Sequence, residues 1–258
     1  MLALIIWSLS VLAFFRLFLM ALFFIVTSLG FIIFLSLRPF HKNNVYYVAH
    51  VYGSFARMLG VKIEVRGQEN AAADKPSVYV GNHQNTYDIF TSSNAVCPNT
   101  VSVGKKSLKW IPFFGIVYWL SGNILIDRGN RTKAHGTIGQ AADMIKKKGL
   151  SVWLFPEGTR SYGRGLLKFK TGAFYTAAMA GVPIVPVVIS STHNLIKLNR
   201  WNNGKIIIEY LPEFSLEQDD KSYIRQSADK AHDMMAKKLN ELSLELGYEI
   251  ENVDVEKG

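Results

Sequence analysis

No acidic residue occurs before Glu64, and the only charges in that stretch are Arg16, Arg38, Lys42, Arg57 and Lys62. Cys97 is the only cysteine among 258 residues, which excludes an internal disulfide framework and any cysteine-rich metal site. Such a chain is compatible with a reducing compartment. Charged residues make up only 19% against 49% hydrophobic, which excludes a disordered chain. Several signatures of chemistry are also missing: there is no G-x-S-x-G elbow, P-loop, G-x-G-x-x-G or H-E-x-x-H. Gly163-Arg164-Gly165 lacks the third glycine of a dinucleotide fingerprint. No internal repeat or low-complexity linker interrupts the chain. The length suits one large domain, or one domain with an appendage.

The charge that is present is unevenly placed. Residues 101–210 carry 16 bases and four acids, a net +12, whereas residues 211–258 carry six bases and 12 acids, a net −6. A central block this basic points to an anionic ligand or surface.

The first 37 residues are apolar apart from Arg16 and a few Ser and Thr. Leu17–Leu37 is uncharged and as a helix reaches about 31 Å, the thickness of a hydrocarbon core. All 37 residues in one straight helix, about 55 Å, exceed it. Two arrangements satisfy these lengths: one span at 17–37, or two short helices in one leaflet with Arg16 snorkelling to the headgroups. A cleaved signal peptide fits poorly, because the first charge is at position 16 and Ser36-Leu37-Arg38-Pro39 is no small-residue cleavage site. Arg38, His41 and Lys42 follow directly, so the positive-inside rule predicts the rest of the chain on the cytoplasmic face of a membrane. The expected division is a membrane-anchoring helical segment at 1–38 and a second domain at 39–258.

Seven short apolar runs bounded by Gly, Pro or Asn predict strands: Val61–Val65, Ser77–Val80, Thr100–Val103, Asn123–Ile126, Ser151–Phe155, Pro183–Ile189 and Lys205–Tyr210. Helical patterns at Thr132–Lys148 and Thr171–Ala180 each end at a glycine. Tyr223–Leu246 places Ile224, Ala228, Ala231, Met235, Leu239, Leu242 and Leu246 near one face of a terminal helix. Strands alternating with helices predict an α/β layered domain with a mostly parallel central sheet.

Two motifs follow predicted strands. In Gly81-Asn82-His83-Gln84-Asn85-Thr86-Tyr87-Asp88, a loop entering a helix can bring His83 onto Asp88, the carboxylate fixing the ring of a general base. An isolated pair of this kind is more often a capping or core histidine. In Phe155-Pro156-Glu157-Gly158-Thr159-Arg160, Gly158 permits close approach of a ligand, and Arg160 offers a fork for phosphate oxygens. Glu157 would bind a hydroxyl or hold Arg160. Asp127-Arg128 ends a third strand, and Lys105-Lys106 precede the apolar stretch Leu108–Gly115. Taken singly, each reads as surface plus core. With no obvious nucleophile beside it, a His–Asp base would activate a substrate hydroxyl, which favours direct transfer over a covalent enzyme intermediate.

Taken together, these blocks resemble the glycerolipid acyltransferase family, in its bacterial lysophosphatidic acid branch. Asn82-His83-Gln84 with Asp88, Gly122–Arg128 after Lys105 and Pro112–Gly115, Phe155–Arg160, and Val182–Pro186 stand in the family's order. Asn85 stands where many members carry Ser. The resemblance implies that His83 deprotonates the 2-hydroxyl of 1-acyl-sn-glycerol-3-phosphate while Asp88 orients His83. It implies that Lys105, Arg128 and Arg160 hold the phosphate, with Glu157, Gly158 and Thr159 shaping that pocket. The acyl donor would be acyl-CoA or acyl-carrier protein, the product phosphatidic acid, and no metal or bound cofactor would be used. Partners would be lysophosphatidic acid and membrane lipids rather than nucleic acid, at the cytoplasmic face of a bacterial inner membrane. Glycerol-3-phosphate or another lysophospholipid is the alternative acceptor; a non-catalytic binder of anionic lipid and a lipid hydrolase are the alternatives from other classes.

Overall fold

The computed structural model describes residues 2–71, 75–126 and 131–248, with the backbone alone at 2–10, 131–135 and 137. A single helix, α1 (Leu2–Leu37), opens the chain. It is followed by α2 (Asn44–Gly53), α3 (Phe55–Met58) and strand β1 (Lys62–Arg66). Strand β2 (Val78–Gly81) leads into the short helix α4 (Asp88–Thr91), and β3 (Thr100–Lys105) into α5 (Phe114–Leu120). Then come β4 (Ile124–Ile126), α6 (Arg131–Lys148), β5 (Ser151–Leu154), α7 (Gly172–Ala180), β6 (Ile184–Ile189), β7 (Lys205–Tyr210) and α8 (Lys221–Glu245). Each predicted strand is present within two residues of its expected bounds. The sequence patterns predict no helix at α2, α3 or α5, although α2 buries Val45, Val48, Ala49 and Tyr52 on one face.

The strands form one sheet in the order β1-β7-β6-β2-β5-β3-β4. β6, β2, β5, β3 and β4 run parallel, and β7 runs antiparallel to β6 while pairing in parallel with β1. Side-chain alternation along the strands builds two cores. Val78, Val80, Val152, Ile184, Val188 and Ile207 face α6, α7 and α8, where Ile224, Ala228, Ala231, Met235, Leu239 and Leu242 of α8 are buried. Tyr79, Trp153, Val185, Val187, Ile206 and Ile208 face the opposite side, against Ala56 and Leu59 of α3. Asp220 caps α8, its carboxylate accepting from the Ser222 and Tyr223 amides.

The amino-terminal segment is not two short helices, and its Val11–Leu37 stretch is long and apolar enough to cross a membrane. It is one continuous helix that lies along the domain, with Leu12, Arg16, Ser28 and Leu35 buried at helical spacing. Ser28 Oγ is 2.9 Å from Tyr52 Oη of α2, and Phe23, Phe24 and Phe31 pack on Tyr52 and Phe55. Arg16 does not snorkel. The residue is 6% exposed, and its guanidinium donates to the backbone carbonyls of Leu198, at 3.0 Å, Arg200, and Trp201, at 2.9 Å. Burial without a carboxylate lowers its pKa. The other face of α1 presents Phe14, Phe15, Leu17, Phe18, Leu22, Val26, Leu29 and Ile33 to the outside.

Candidate active site

The parallel arrangement brings the carboxyl ends of β2, β5, β3 and β4 side by side at one edge of the sheet. His83 follows β2, Glu157–Arg160 follow β5, and Lys105 ends β3. The loops beyond these ends are where open α/β sheets hold ligands. β2 and β3 are two strand spacings apart, about 10 Å.

The loop after β2 turns into α4, and that turn folds His83 back onto Asp88: Nδ1 lies 2.6 Å from Asp88 Oδ2. Asp88 is 2% exposed, and the same Oδ2 accepts the amides of Gln84 (2.6 Å) and Asn85 (3.2 Å). These donors hold the carboxylate in the orientation His83 meets. A carboxylate acceptor places the imidazole proton on Nδ1 and leaves the Nε2 lone pair outward. The ring stacks on Phe155, with centroids 4.3 Å apart, and its side chain is 15% exposed. The assembly is a partly accessible base held by a buried carboxylate.

The loop is clamped on both sides. Asn82 Nδ2 donates to the Ile189 carbonyl at 2.9 Å, while Asn82 Oδ1 accepts the Ile189 amide at 2.8 Å. Gln84 Nε2 donates to the Ser190 carbonyl, and its Oε1 accepts the Thr192 amide. On the other side, the Ser161 and Tyr162 amides donate to the His83 and Gln84 carbonyls.

Glu157 takes a position the sequence did not suggest. It is 3% exposed, its Oε1 accepts the His83 amide at 2.6 Å, and its Oε2 accepts the Leu167 amide at 3.0 Å. Both oxygens therefore brace backbone, and Glu157 makes no ion pair with Arg160. Burial pushes its carboxyl up to about 7, against the two amide bonds that favour the anion. Arg160 instead donates toward Thr86 Oγ1 and Tyr162 Oη, neutral groups, and forms no ion pair among the described residues. That hydrogen bond lowers the Tyr162 pKa. Thr159 and Lys105 are exposed at the same edge.

Gly158 adopts φ +70, and a Cβ built there falls 2.8 Å from Lys170 Nζ. Lys170, whose amide donates to the Pro156 carbonyl, thus brings another cation to the motif. The sequence signal was the basic pair flanking Phe169, but its separation from the motif concealed the contact. Arg128 and Asp127 lie outside the described residues, two and one positions past the end of β4. Among the described residues no cluster of His, Cys, Asp and Glu is arranged to hold a metal ion.

The carboxyl edge of the sheet thus brings together a His–Asp pair and the cations Lys105, Arg160 and Lys170, none of which forms an ion pair among the described residues. Residues 62–190 match the family model described as Acyltransferase, and the chain belongs to that family. It is 48% identical to the 1-acyl-sn-glycerol-3-phosphate acyltransferase of Escherichia coli over 232 residues, covering 90% of this chain and 95% of that one. The corresponding protein of Haemophilus influenzae is 52% identical over 206 residues, covering 80% and 86%. The crystal structure of the 1-acyl-sn-glycerophosphate acyltransferase from Thermotoga maritima superposes with a TM-score of 0.70. At 24% identity over 91% of this chain and 95% of that one, it shows that the fold is shared. The chain is an acyltransferase.

Proposed function

We propose that this protein transfers an acyl chain from a thioester to the 2-hydroxyl of 1-acyl-sn-glycerol-3-phosphate, forming phosphatidic acid. The observation that carries the reading is the 2.6 Å contact of His83 with buried Asp88 beside Arg160, which has no ion-pair partner among the described residues. Relatives near 50% identity with the same printed activity support the choice of acceptor over glycerol-3-phosphate. His83 Nε2 takes the hydroxyl proton as the oxygen attacks the thioester carbonyl. The C–S bond then breaks, and the imidazolium returns its proton to the departing thiolate. Asp88 stabilises the imidazolium and keeps the tautomer. Arg160, Lys105 and Arg128 bind the phosphate, and Gly158 and Thr159 form the adjoining wall. Glu157 acts by holding the His83 backbone.

The donor is acyl-CoA or acyl-carrier protein, for which the basic middle of the chain is a complementary field. The acceptor lies in a bilayer, and the enzyme works at the cytoplasmic face of the inner membrane. Residues 1–38 serve as anchor and 39–258 as the acyltransferase domain. Helix α1 touches the domain from Leu12 to Leu35, a length of about 35 Å, which supports a helix lying along the membrane surface over one crossing a ~30 Å hydrocarbon core. We therefore read it as lying in the membrane surface with its outer apolar face in lipid. Exposed Trp110 and Ile111 in the turn before α5, and Ile116 and Trp119 on α5, extend that surface, and α5 packs on α1.

Acceptor and donor are tested by supplying each thioester with 1-acyl-sn-glycerol-3-phosphate, glycerol-3-phosphate or lysophosphatidylcholine and resolving the products. Phosphatidic acid acylated at the 2-position is expected. Acylation of glycerol-3-phosphate alone would reassign the acceptor, and free fatty acid alone would indicate hydrolysis.

A further inference from the structure

A cavity of about 520 Å³ lies between α3, the start of β1 and the loop at Asn202, within the size range of small-molecule sites. Its lining includes Gly53, Arg57, Gly60, Lys62, Asn94 and Asn202. Among the described residues no acid lines it, and neither Arg57 nor Lys62 forms an ion pair. The nearest carboxylate on the strand, Glu64, is already held by Arg66 and Lys205, at 2.6 and 2.5 Å. Asn202 Oδ1 accepts the Gly204 amide, which leaves its Nδ2 as a third donor. A guanidinium fork, an ammonium and an amide around one hollow are the donor set for phosphate oxygens.

This hollow is separate from the site at His83. β1 runs opposite to β2, so Lys62 at its start shares the edge of the sheet where β2 ends. β1 nevertheless stands three strand spacings from β2 in the sheet, about 14 Å. The surroundings of the hollow are those of a membrane boundary. Trp201, the neighbour of Asn202, is 75% exposed, and its carbonyl is bonded to Arg16 of α1. Phe14, Phe15 and Phe18, beside Arg16 on the helix, are more than half exposed. A tryptophan and an apolar helix face at the rim of a cationic hollow place it at headgroup depth.

We propose that this cavity is a second, non-catalytic anion site that takes the phosphate of a membrane phospholipid headgroup and fixes how the enzyme sits on an anionic bilayer. The inference rests on the membrane-surface reading of α1 and is independent of the chemistry at His83. The test is binding of the full chain to vesicles of phosphatidylcholine alone and of phosphatidylcholine with phosphatidylglycerol. Wild type is compared with Arg57→Gln/Lys62→Gln and with a control of equal charge, Lys146→Gln/Lys148→Gln, on α6 across the sheet. All three are expected to bind neutral vesicles alike. The preference for anionic vesicles should fall about tenfold or more in the cavity variant, and by less than about twofold in the control. Both cavity residues are exposed, so the fold should survive; the single variants, expected to lose about threefold to fivefold each, provide a second reading.

No loss in the cavity variant, or equal losses in both double variants, overturns a built site. Inorganic phosphate should reduce the preference no more than chloride of equal ionic strength. Abolition of the preference by millimolar phosphate, but not by that chloride, overturns the lipid assignment in favour of a soluble phosphate. Transfer activity measured in detergent micelles should be unchanged in the cavity variant, which separates this inference from failure of the proposed reaction.

Discussion

Asp88 places three donors on one carboxylate oxygen, and the consequences are specific to that geometry. Replacing Asp88 by Asn keeps the shape but offers the amides of Gln84 and Asn85 a neutral acceptor, and the ring loses its charge partner. We expect transfer to fall by about 10²–10⁴, the range for impaired base catalysis, with the circular dichroism spectrum retained. Glu157 makes a different prediction because both its oxygens accept backbone amides. Glu157→Gln keeps one acceptor and turns an NH₂ against the other amide, which costs about 1–3 kcal/mol. The pH dependence follows from its carboxyl standing near 7, above its ordinary value of 4.5. The native state then holds the proton more tightly than the unfolded chain. The contribution is full below about pH 4.5 and is lost as the pH rises through about 7, at no more than about 1.4 kcal/mol per pH unit. Chemical denaturation of wild type and Glu157→Gln across that window should show the slope in the first and its reduction in the second.

At the scale of elements, α1 is tied to the domain at Arg16. Arg16→Met removes the buried donors to three backbone carbonyls in the loop at 198–201. We expect a loss of about 2–4 kcal/mol and earlier proteolysis after residue 38, whereas Phe14→Ser on the outer face should leave thermal stability nearly unchanged and weaken vesicle binding. Gly60 faces the same loop with φ +72, and a Cβ there would overlap the Trp201 carbonyl oxygen. Gly60→Ala should therefore destabilise by at least about 1 kcal/mol, read as a lower Tm. The docking of α1 was not legible in its sequence for a physical reason. The helix is apolar on every side, so no stripe marks the face that meets protein, and the partners of Arg16 are backbone groups some 180 residues away. The strands were legible because each is a short β-branched run stopped by a turn residue. Their directions were not, and the reversal of β7 against β6 is written in the connection through residues 190–204 rather than in β7 itself.

Across the whole molecule, function was legible where several motifs converge on one sheet edge, and obscure where a residue acts through the main chain. His83 and Asp88 are close in sequence, so their meeting was foreseeable from a single turn. Glu157 braces the amide of a residue 74 positions earlier, and its place in a motif read as phosphate-binding concealed that role. In the proposed membrane-surface placement, the net charge of +9 would draw the protein to anionic surfaces and the apolar face of α1 would hold it there. The most direct test is formation of phosphatidic acid from labelled 1-acyl-sn-glycerol-3-phosphate and a thioester donor, by purified wild type and by folded His83→Ala. The account predicts product from the wild type and a rate at least about 10² lower from the variant. Equal rates from both proteins would contradict it.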